Sequence, residues 1–328
     1  MDFTLTEEQR IIQHTARALF TRECPLALVK SAWEYPEVAL PLWQDHLREW
    51  LALSEQSLAD TTLFMQEYGR ALVPGVFFSS LLAAYVASTV EATLSGAATV
   101  AVAGLNGYWI PNEETTRYFV PSAAQVQEVV VVSGSPQAPR VAIAAAAQVS
   151  MAEMEQLDRL RPLYSVDVKG IDRGRDISPQ AWQQVVHRAL VTVAAELVGV
   201  GRYLLDSAVA YAKVRQQFGR PIGSFQGLQW KLVDSALELE RAAAAVSYAA
   251  MCVDAAVAEA PYAVHSAKLE AGGAARRCAR TSLQVHGGIG YTWEHGLHYW
   301  LRRAYAGDAF MGPSDFHAQR LADLLFAA

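Results

Sequence analysis

The sequence is poor in cysteine and in charge, and it has no apolar run of membrane length. Its three cysteines, Cys24, Cys252 and Cys278, are far apart and odd in number. That spacing fits neither a disulfide framework nor a thiolate metal site, and it points to a reducing compartment. The longest apolar stretch, VFFSSLLAAYVASTV from Val76 to Val90, is short for a bilayer span and contains Ser and Thr. The opening MDFTLTEEQR is polar and acidic, unlike a secretory leader. Charged residues make up 18% of the chain and the net charge is −6, which argues against nucleic acid or an anionic membrane as the main partner. A local basic site for a small anion stays open. A soluble, cytoplasmic protein without internal repeats is expected.

What the chain does have is helical periodicity at both ends and a different texture between them. Thr4 precedes a first turn with Glu7 and Glu8, a capped start, and Ile11, Ile12, Ala16 and Leu19 then recur at helical spacing. Further helices are predicted near 36–50, 58–72 and 76–94, the last two separated by Pro74-Gly75. After Gly96 come TVAVAGL, RYFV, EVVVVSG and RVAIA, short β-branched runs punctuated by Asn106-Gly107, Pro111, Pro121 and Ser135-Pro136. They predict a small sheet, closed by a charged linker, IDRGRDISP. Helical periodicity returns at Pro179. Leu197, Val200, Leu204, Ala208 and Tyr211 form one stripe, and Leu228, Leu232, Ser235, Leu239 and Val246 another. A third long helix runs from Pro261 towards Gln284 with Gly272-Gly273 inside it, a costly pair that implies close contact with a neighbour. The fold class is α+β, with a helical domain at 1–96, a small β domain at 97–176 and a C-terminal four-helix bundle at 177–328.

Two stretches could bind a ligand. In VRQQFGRPIGSFQG (214–227), Gly219 fits the left-handed residue that ends a helix, and Pro221 prevents its continuation. The same stretch offers the Arg215 guanidinium fork to a phosphate, with Phe218 beside it as an aromatic wall. In LQVHGGIGYTWEH (283–295), Gly287-Gly288 ends a helix and could bring backbone N–H groups close to a phosphate. No strand precedes it, so it is not a dinucleotide-fold fingerprint. His286 and His295 lack a third metal ligand nearby.

Together, R-x-x-F-G, then P-I-x-x-F-Q, then Q-V-x-G-G-x-G-Y resemble the acyl-CoA dehydrogenase family of flavoproteins. The resemblance is strongest from about Ala181 to Ala327 and looser over the opening helix. It implies binding of FAD and an acyl-CoA thioester, removal of the α-proton by a glutamate, hydride transfer from the β-carbon to the flavin, and onward passage of electrons to an electron-transfer flavoprotein. By resemblance, Arg215 reaches the FAD pyrophosphate with Gln217 nearby, Phe218 lies beside the adenosine, and Gln226 contacts the cofactor from the following helix. Gln284, Gly287 and Gly288 hold the ADP half. In the family this set reaches across a dimer interface into the neighbouring subunit's FAD.

The rest of the family site does not carry over. The strands that support the isoalloxazine ring have no counterpart; YWIPN and RYFVPS are the nearest stretches and lack both sequence and order. Counting from Trp293-Glu294, Arg302-Arg303 falls on the family's R-D, and Met311 falls on the catalytic glutamate. A thioether takes no proton from a thioester α-carbon. The alternative base position of a second subgroup falls near Ala189 and Leu190. Asp308, Glu196 and Asp315 are the carboxylates in the vicinity. Three readings follow: a subunit of a heteromeric acyl-CoA dehydrogenase, of the steroid type by resemblance, that pairs with a full-length subunit; a self-associating enzyme with a relocated base such as Asp308; or a flavin-free scaffold.

Overall fold

The computed structural model describes residues 3–326. They pack as two compact units, each assembled from separate stretches of sequence. One comprises the chain up to Leu26, Leu58–Val73 and the chain from Leu190 onward; the other comprises Ala27–Ser57 and Pro74–Ala189. The helical stretch 1–96 is therefore divided between them. No helix of the described residues is long and apolar enough to cross a membrane.

The unit that holds the sheets also contains α2 (Leu26–Glu34), all but its first residue. The sequence reading missed this helix. The helix expected at 36–50 is instead a run of single turns from Pro36 to Ser54, with the short α3 (Leu40–Leu42) and a π turn at Trp43–Leu47. Pro36 and Pro41 supply no amide hydrogen, which breaks the i→i+4 ladder. α5 (Phe77–Ala87) also stops short of the expected Leu94: a 3₁₀ turn follows, and Glu91 is left-handed at φ 53°.

Two sheets complete this unit. β1 (Ala98–Ala101), β3 (Glu128–Ser135), β4 (Ala138–Ala145) and β7 (Arg175–Asp176) lie in the order β1-β3-β4-β7, with β1 parallel to β3 and the other pairs antiparallel. β2 (Thr116–Pro121), β6 (Leu163–Asp167) and β5 (Ser150–Glu153) form a second, antiparallel sheet in the order β2-β6-β5. Four of these strands were legible as β-branched runs. β5 and β7 are short and polar, and β7 lies inside the stretch read as a linker; β6, LYSVD, was also missed. Val129 and Val131 of β3 join a cluster with Ala101, Val120 and Val166, while Val130 and Val132 are equally buried, so the strand is covered on both faces.

The other unit is helical. It holds α1 (Glu7–Glu23), α4 (Leu58–Ala71), most of α6 (Pro179–Val214), α7 (Gln226–Asp254), α8 (Ala260–His286), α9 (Leu297–Ala309) and α10 (Ser314–Phe326). α1 starts two residues later than Thr4 implied. Thr6 is the cap: its hydroxyl accepts from the Gln9 amide, and the Gln9 side chain accepts from the Thr6 amide, each at 3.2 Å. Leu197, Val200, Leu204 and Ala208 are fully buried along α6, as its stripe predicts.

α4, α6 and α9 meet at Glu196. A Cβ on Gly69 would collide with the Glu196 carbonyl oxygen, and one on Gly199 with that of Gln66, so α4 and α6 cross backbone to backbone. The Glu196 carboxylate is fully buried and pairs with Arg303 of α9 at 2.7 Å, itself only 1% exposed. On α9 the Trp300 indole donates to the Arg70 carbonyl at 3.0 Å and stacks on Tyr203 of α6 at 3.7 Å.

α8 binds the end of α9 through polar groups. Gly272 lies beneath the Asp308 carboxylate, where a Cβ would clash, while Gly273 faces open space; the close contact expected of the glycine pair belongs to the first alone. The buried Lys268 ammonium donates to the carbonyls of Asp308 at 2.7 Å and Gly312 at 3.1 Å, a cation on the C-terminal carbonyls of α9. His317 Nε2 lies 3.1 Å from the same Gly312 oxygen, which only accepts, so Nε2 carries the proton. The His265 Nδ1–H then donates to His317 Nδ1 at 2.8 Å.

Two measurements test this core. Glu196→Gln leaves Arg303 buried without its counter-charge and should cost about 3–5 kcal/mol of unfolding free energy, read by urea titration; a loss below about 1 kcal/mol would mean that the pair does not hold the three helices. The second concerns pH. Burial pushes Lys268 down to about 8 from an ordinary 10.5. Between those values the unfolded chain binds the proton that the folded chain has released, so Lys268 makes stability rise with pH across that window. Relative to wild type, Lys268→Met should lose that rise; parallel pH curves for the two proteins would count against it.

Candidate functional site: an exposed half-site at one end of the bundle

The segment after α6 is not the helix stop predicted from Gly219-Pro221. α6 ends at Val214, and a tight hairpin follows: Gln216–Gln217 (β8) pairs with Arg220–Pro221 (β9) across Phe218-Gly219. Both turn residues have positive φ, 54° and 77°, the pattern of a two-residue turn whose twist matches the strands. Gly219 adopts this freely, whereas Phe218 does so against its Cβ. The strained phenylalanine is 91% exposed at the hairpin tip. Behind it the Arg220 guanidinium lies 4.1 Å over the Phe225 ring, and the Ile222 amide donates to the Arg215 carbonyl at 2.8 Å. Arg215 and Gln217 are exposed on the hairpin, and Gln226 is exposed as the first residue of α7.

The second stretch lies at the same end. Ala208 and Ala212 of α6 pack with Val285 of α8, and Ile222, Leu228 and Leu232 close the cluster, so the hairpin base and the end of α8 share one apolar seat. Gln284 is exposed beside Val285. Gly287 caps α8 at φ 60°, ψ −138°, a conformation open only to glycine, and Gly288 is exposed in the 3₁₀ turn that follows. The geometry thus gathers Arg215, Gln217, Phe218, Gln226, Gln284, Gly287 and Gly288 at one end of the bundle, all exposed except Gly287, which is half-buried and donates its amide to the Leu283 carbonyl.

A cleft of about 300 Å³ between α7 and α8 extends this surface, lined by Lys231, Asp234, Arg277, Arg280, Thr281 and Gln284. Arg277 is paired with Glu238 at 2.6 Å and Asp234 lies in the lining, so Lys231 and Arg280 leave a small excess of positive charge that suits an anionic group such as a diphosphate. The sequence reading missed Lys231, Arg277 and Arg280. Arg277, Arg280 and Gln284 recur at helical spacing, but Lys231 joins them only once α7 and α8 pack. Around the cleft the α7 residues Trp230, Val233 and Leu237, at i, i+3 and i+7, are all more than half exposed.

The positions tied to the flavin ring and the base are differently placed. YWIPN is a loop in which buried Trp109 stacks on Trp182 at 6.3 Å, so the indole is spent on the unit's own packing. RYFVPS is strand β2 and its turn. Met311 is buried and left-handed at φ 61°. Asp308 is buried as well: Ser314 Oγ donates to its Oδ1 at 2.6 Å, and Arg276 lies 3.3 Å from its Oδ2. Glu196 is engaged by Arg303, Asp315 is exposed on the first turn of α10, and Ala189 and Leu190 are buried apolar positions. Among the described residues no group of three or more His, Cys, Asp or Glu is placed to hold a metal. The three cysteines are free and buried, and burial pushes Cys24 and Cys278 up to about 12, which keeps them as unreactive thiols.

Residues 181–326 match the family model described as acyl-CoA dehydrogenase, C-terminal domain. Acyl-CoA dehydrogenase IpdE2 of Mycobacterium tuberculosis is 29% identical over 323 residues, with 92% of each chain covered. Among solved structures, the ChsE4-ChsE5 complex from Mycobacterium tuberculosis contains a chain with a TM-score of 0.81 at 20% identity, with 99% of each chain covered. The steroid ACAD Tcur3481-Tcur3483 has a TM-score of 0.81 at 23% identity, with 98% of each chain covered. The motifs of the two exposed stretches and the matched bundle agree: residues 181–326 belong to the acyl-CoA dehydrogenase family as its C-terminal domain, and the chain as a whole is similar to acyl-CoA dehydrogenases in sequence and in fold.

Proposed function

We propose that this chain is the non-basic subunit of a flavin-dependent acyl-CoA dehydrogenase, and that it gives the ADP-side half of an FAD site to a full-length partner subunit. The observation that carries the reading is Phe218: an aromatic ring held in a strained hairpin, almost wholly exposed, beside Arg215 and at the same end of the bundle as Gln284. A large apolar side chain in that state is explained by something that covers it.

Arg215 supplies a guanidinium fork for the diphosphate, with Lys231 and Arg280 adding positive potential along the neighbouring cleft. Phe218 offers its face to the adenine, Gln217, Gln226 and Gln284 offer amide groups, and Gly287 and Gly288 let the backbone approach without a Cβ in the way. The donor set fits the ADP half of FAD. Around the flavin ring the chain offers no matching strand, and at the base position it offers Met311. When bound, FAD supplies the hydride acceptor for α,β-desaturation of an acyl-CoA thioester. The partner supplies the carboxylate that takes the α-proton, and an electron-transfer flavoprotein receives the electrons. A steroid-derived acyl group is suggested by the likeness to the steroid ACAD.

The self-associating enzyme with Asp308 as base has less in its favour. Ser314 and Arg276 occupy the two oxygens of that carboxylate, and Gly272 closes beneath it, so it has no open face for a substrate α-carbon. The flavin-free scaffold leaves the outward-facing anion site without a purpose.

Co-expression with a full-length family member encoded beside it should yield a mixed complex with about one FAD per two chains. This chain purifying by itself as an active dehydrogenase, with one FAD on every copy, would sink the proposal. In the mixed complex Arg215→Ala should weaken flavin retention about tenfold. Asp308→Asn should leave kcat within about twofold, whereas abolished turnover with flavin still bound would restore the Asp308 reading.

A further inference from the structure

The turn that presents Gly287 and Gly288 has little side chain of its own to hold it. The residue before it, His286, ends α8 and is 5% exposed. Its ring is fixed from three elements. Nδ1 lies 2.8 Å from the Ser282 carbonyl oxygen, which only accepts, so Nδ1 carries the proton and Nε2 is left as an acceptor. Nε2 faces the Ser207 hydroxyl of α6 at 3.4 Å, whose O–H can donate to it. The ring stacks on Tyr211 of α6 at 4.7 Å, and His295, beyond the turn, meets it edge-on at 4.7 Å. Gly290 presses on the same side chain: a Cβ there would lie 3.1 Å from the Cβ of His286.

We infer that His286 is the positioning residue of the nucleotide half-site. Clamped as a neutral Nδ1–H imidazole between Ser282, Ser207 and Tyr211, it holds the turn 287–291 in the conformation that ends α8 at Gly287 and leaves Gly288 exposed. The inference rests on the reading of that turn as an FAD contact. His286 is enclosed beneath the turn, so it acts through the backbone it supports. The groups packed around it fix its state: burial lowers its pKa from the ordinary histidine value, the Ser282 carbonyl opposes this in part, and His295 nearby adds to the lowering. The geometry also explains a histidine beside a double glycine without a metal. The proton on Nδ1 is committed to Ser282, and no metal-binding trio exists among the described residues.

The test is hydrogen exchange of residues 287–292 in the full chain, in the assembly with which it purifies, with thermal unfolding as the check on overall folding. His286→Phe keeps the ring stack and removes both polar contacts; exchange of those amides should accelerate about tenfold while the rest of α8 stays protected. His286→Asn places an amide donor where Nδ1 stood and should restore protection to within about twofold of wild type. Ser207→Ala alters only the α6 side and should accelerate the same amides about threefold. If His286→Phe does not fold, Ser207→Ala carries the comparison by itself. Unchanged exchange in the Phe or Ala variant, or an Asn variant as fast as Phe, overturns the inference. The measurement needs no bound flavin. A wild-type assembly that holds no FAD therefore overturns the half-site reading, while the exchange rates still decide what His286 does.

Discussion

A buried carboxylate must meet its counter-charge wherever the chain can bring one, and the helical unit is arranged around one such meeting. Glu196 is fully enclosed in α6 and is answered by Arg303 from α9, while its own carbonyl presses on Gly69 of α4. The ion pair fixes the register of α9 on α6, because a slip by one residue would leave two charges in an apolar interior. The glycine contact fixes the separation of α4 and α6. Trp300, a turn before Arg303 is reached, ties the same three helices again through the Arg70 carbonyl and Tyr203. Once that register is set, the end of α9 falls over α8, within reach of Lys268.

How much of this was legible depended on whether a feature is local. Long helices announce themselves by stripes such as Leu197, Val200, Leu204 and Ala208, and four strands by runs such as EVVVV; both patterns repeat within the element itself. The run 36–54 carries an apolar content that reads as helix, and only the missing amides of Pro36 and Pro41 hint that it breaks into turns. The hairpin at 216–221 was hidden for a different reason. Gly followed two residues later by Pro is a good helix stop, and phenylalanine is a poor first residue for a tight hairpin turn. A rule of propensity failed where the structure stores strain, at the residue whose exposed ring is proposed to meet the cofactor. Lys231, Arg277 and Arg280 belong to a third class: their cleft exists only between two packed helices.

The surface at the end of the bundle has an unusual mixture of properties. Phe218, Trp230, Val233 and Leu237 are exposed apolar groups, and between them lies a cleft rich in guanidinium and ammonium groups. Water solvates the second kind of surface well and the first poorly. An apolar cover alone would bury the cations at a cost, and an anion alone would leave the aromatic groups in water. A nucleotide diphosphate carried on another subunit satisfies both demands, since its phosphates answer the cations while its base and the protein that bears it cover the rings.

The turn at Met311 shows how a backbone path is fixed without help from the side chain at its centre. A left-handed residue other than glycine costs about 1 kcal/mol, so something beyond the residue itself must hold the backbone there. That something is the buried ammonium of Lys268, which gathers the carbonyls on either side of the turn, at Asp308 and Gly312, with His317 on the second of them. None of these contacts uses the side chain at position 311. The backbone path is set by a lysine on α8, by a histidine on α10 and by Gly312-Pro313, and a thioether satisfies the buried space as readily as the path allows. Geometry and chemistry are therefore separable at this turn: the backbone path is held by Lys268, His317 and Gly312-Pro313 whichever side chain stands at position 311.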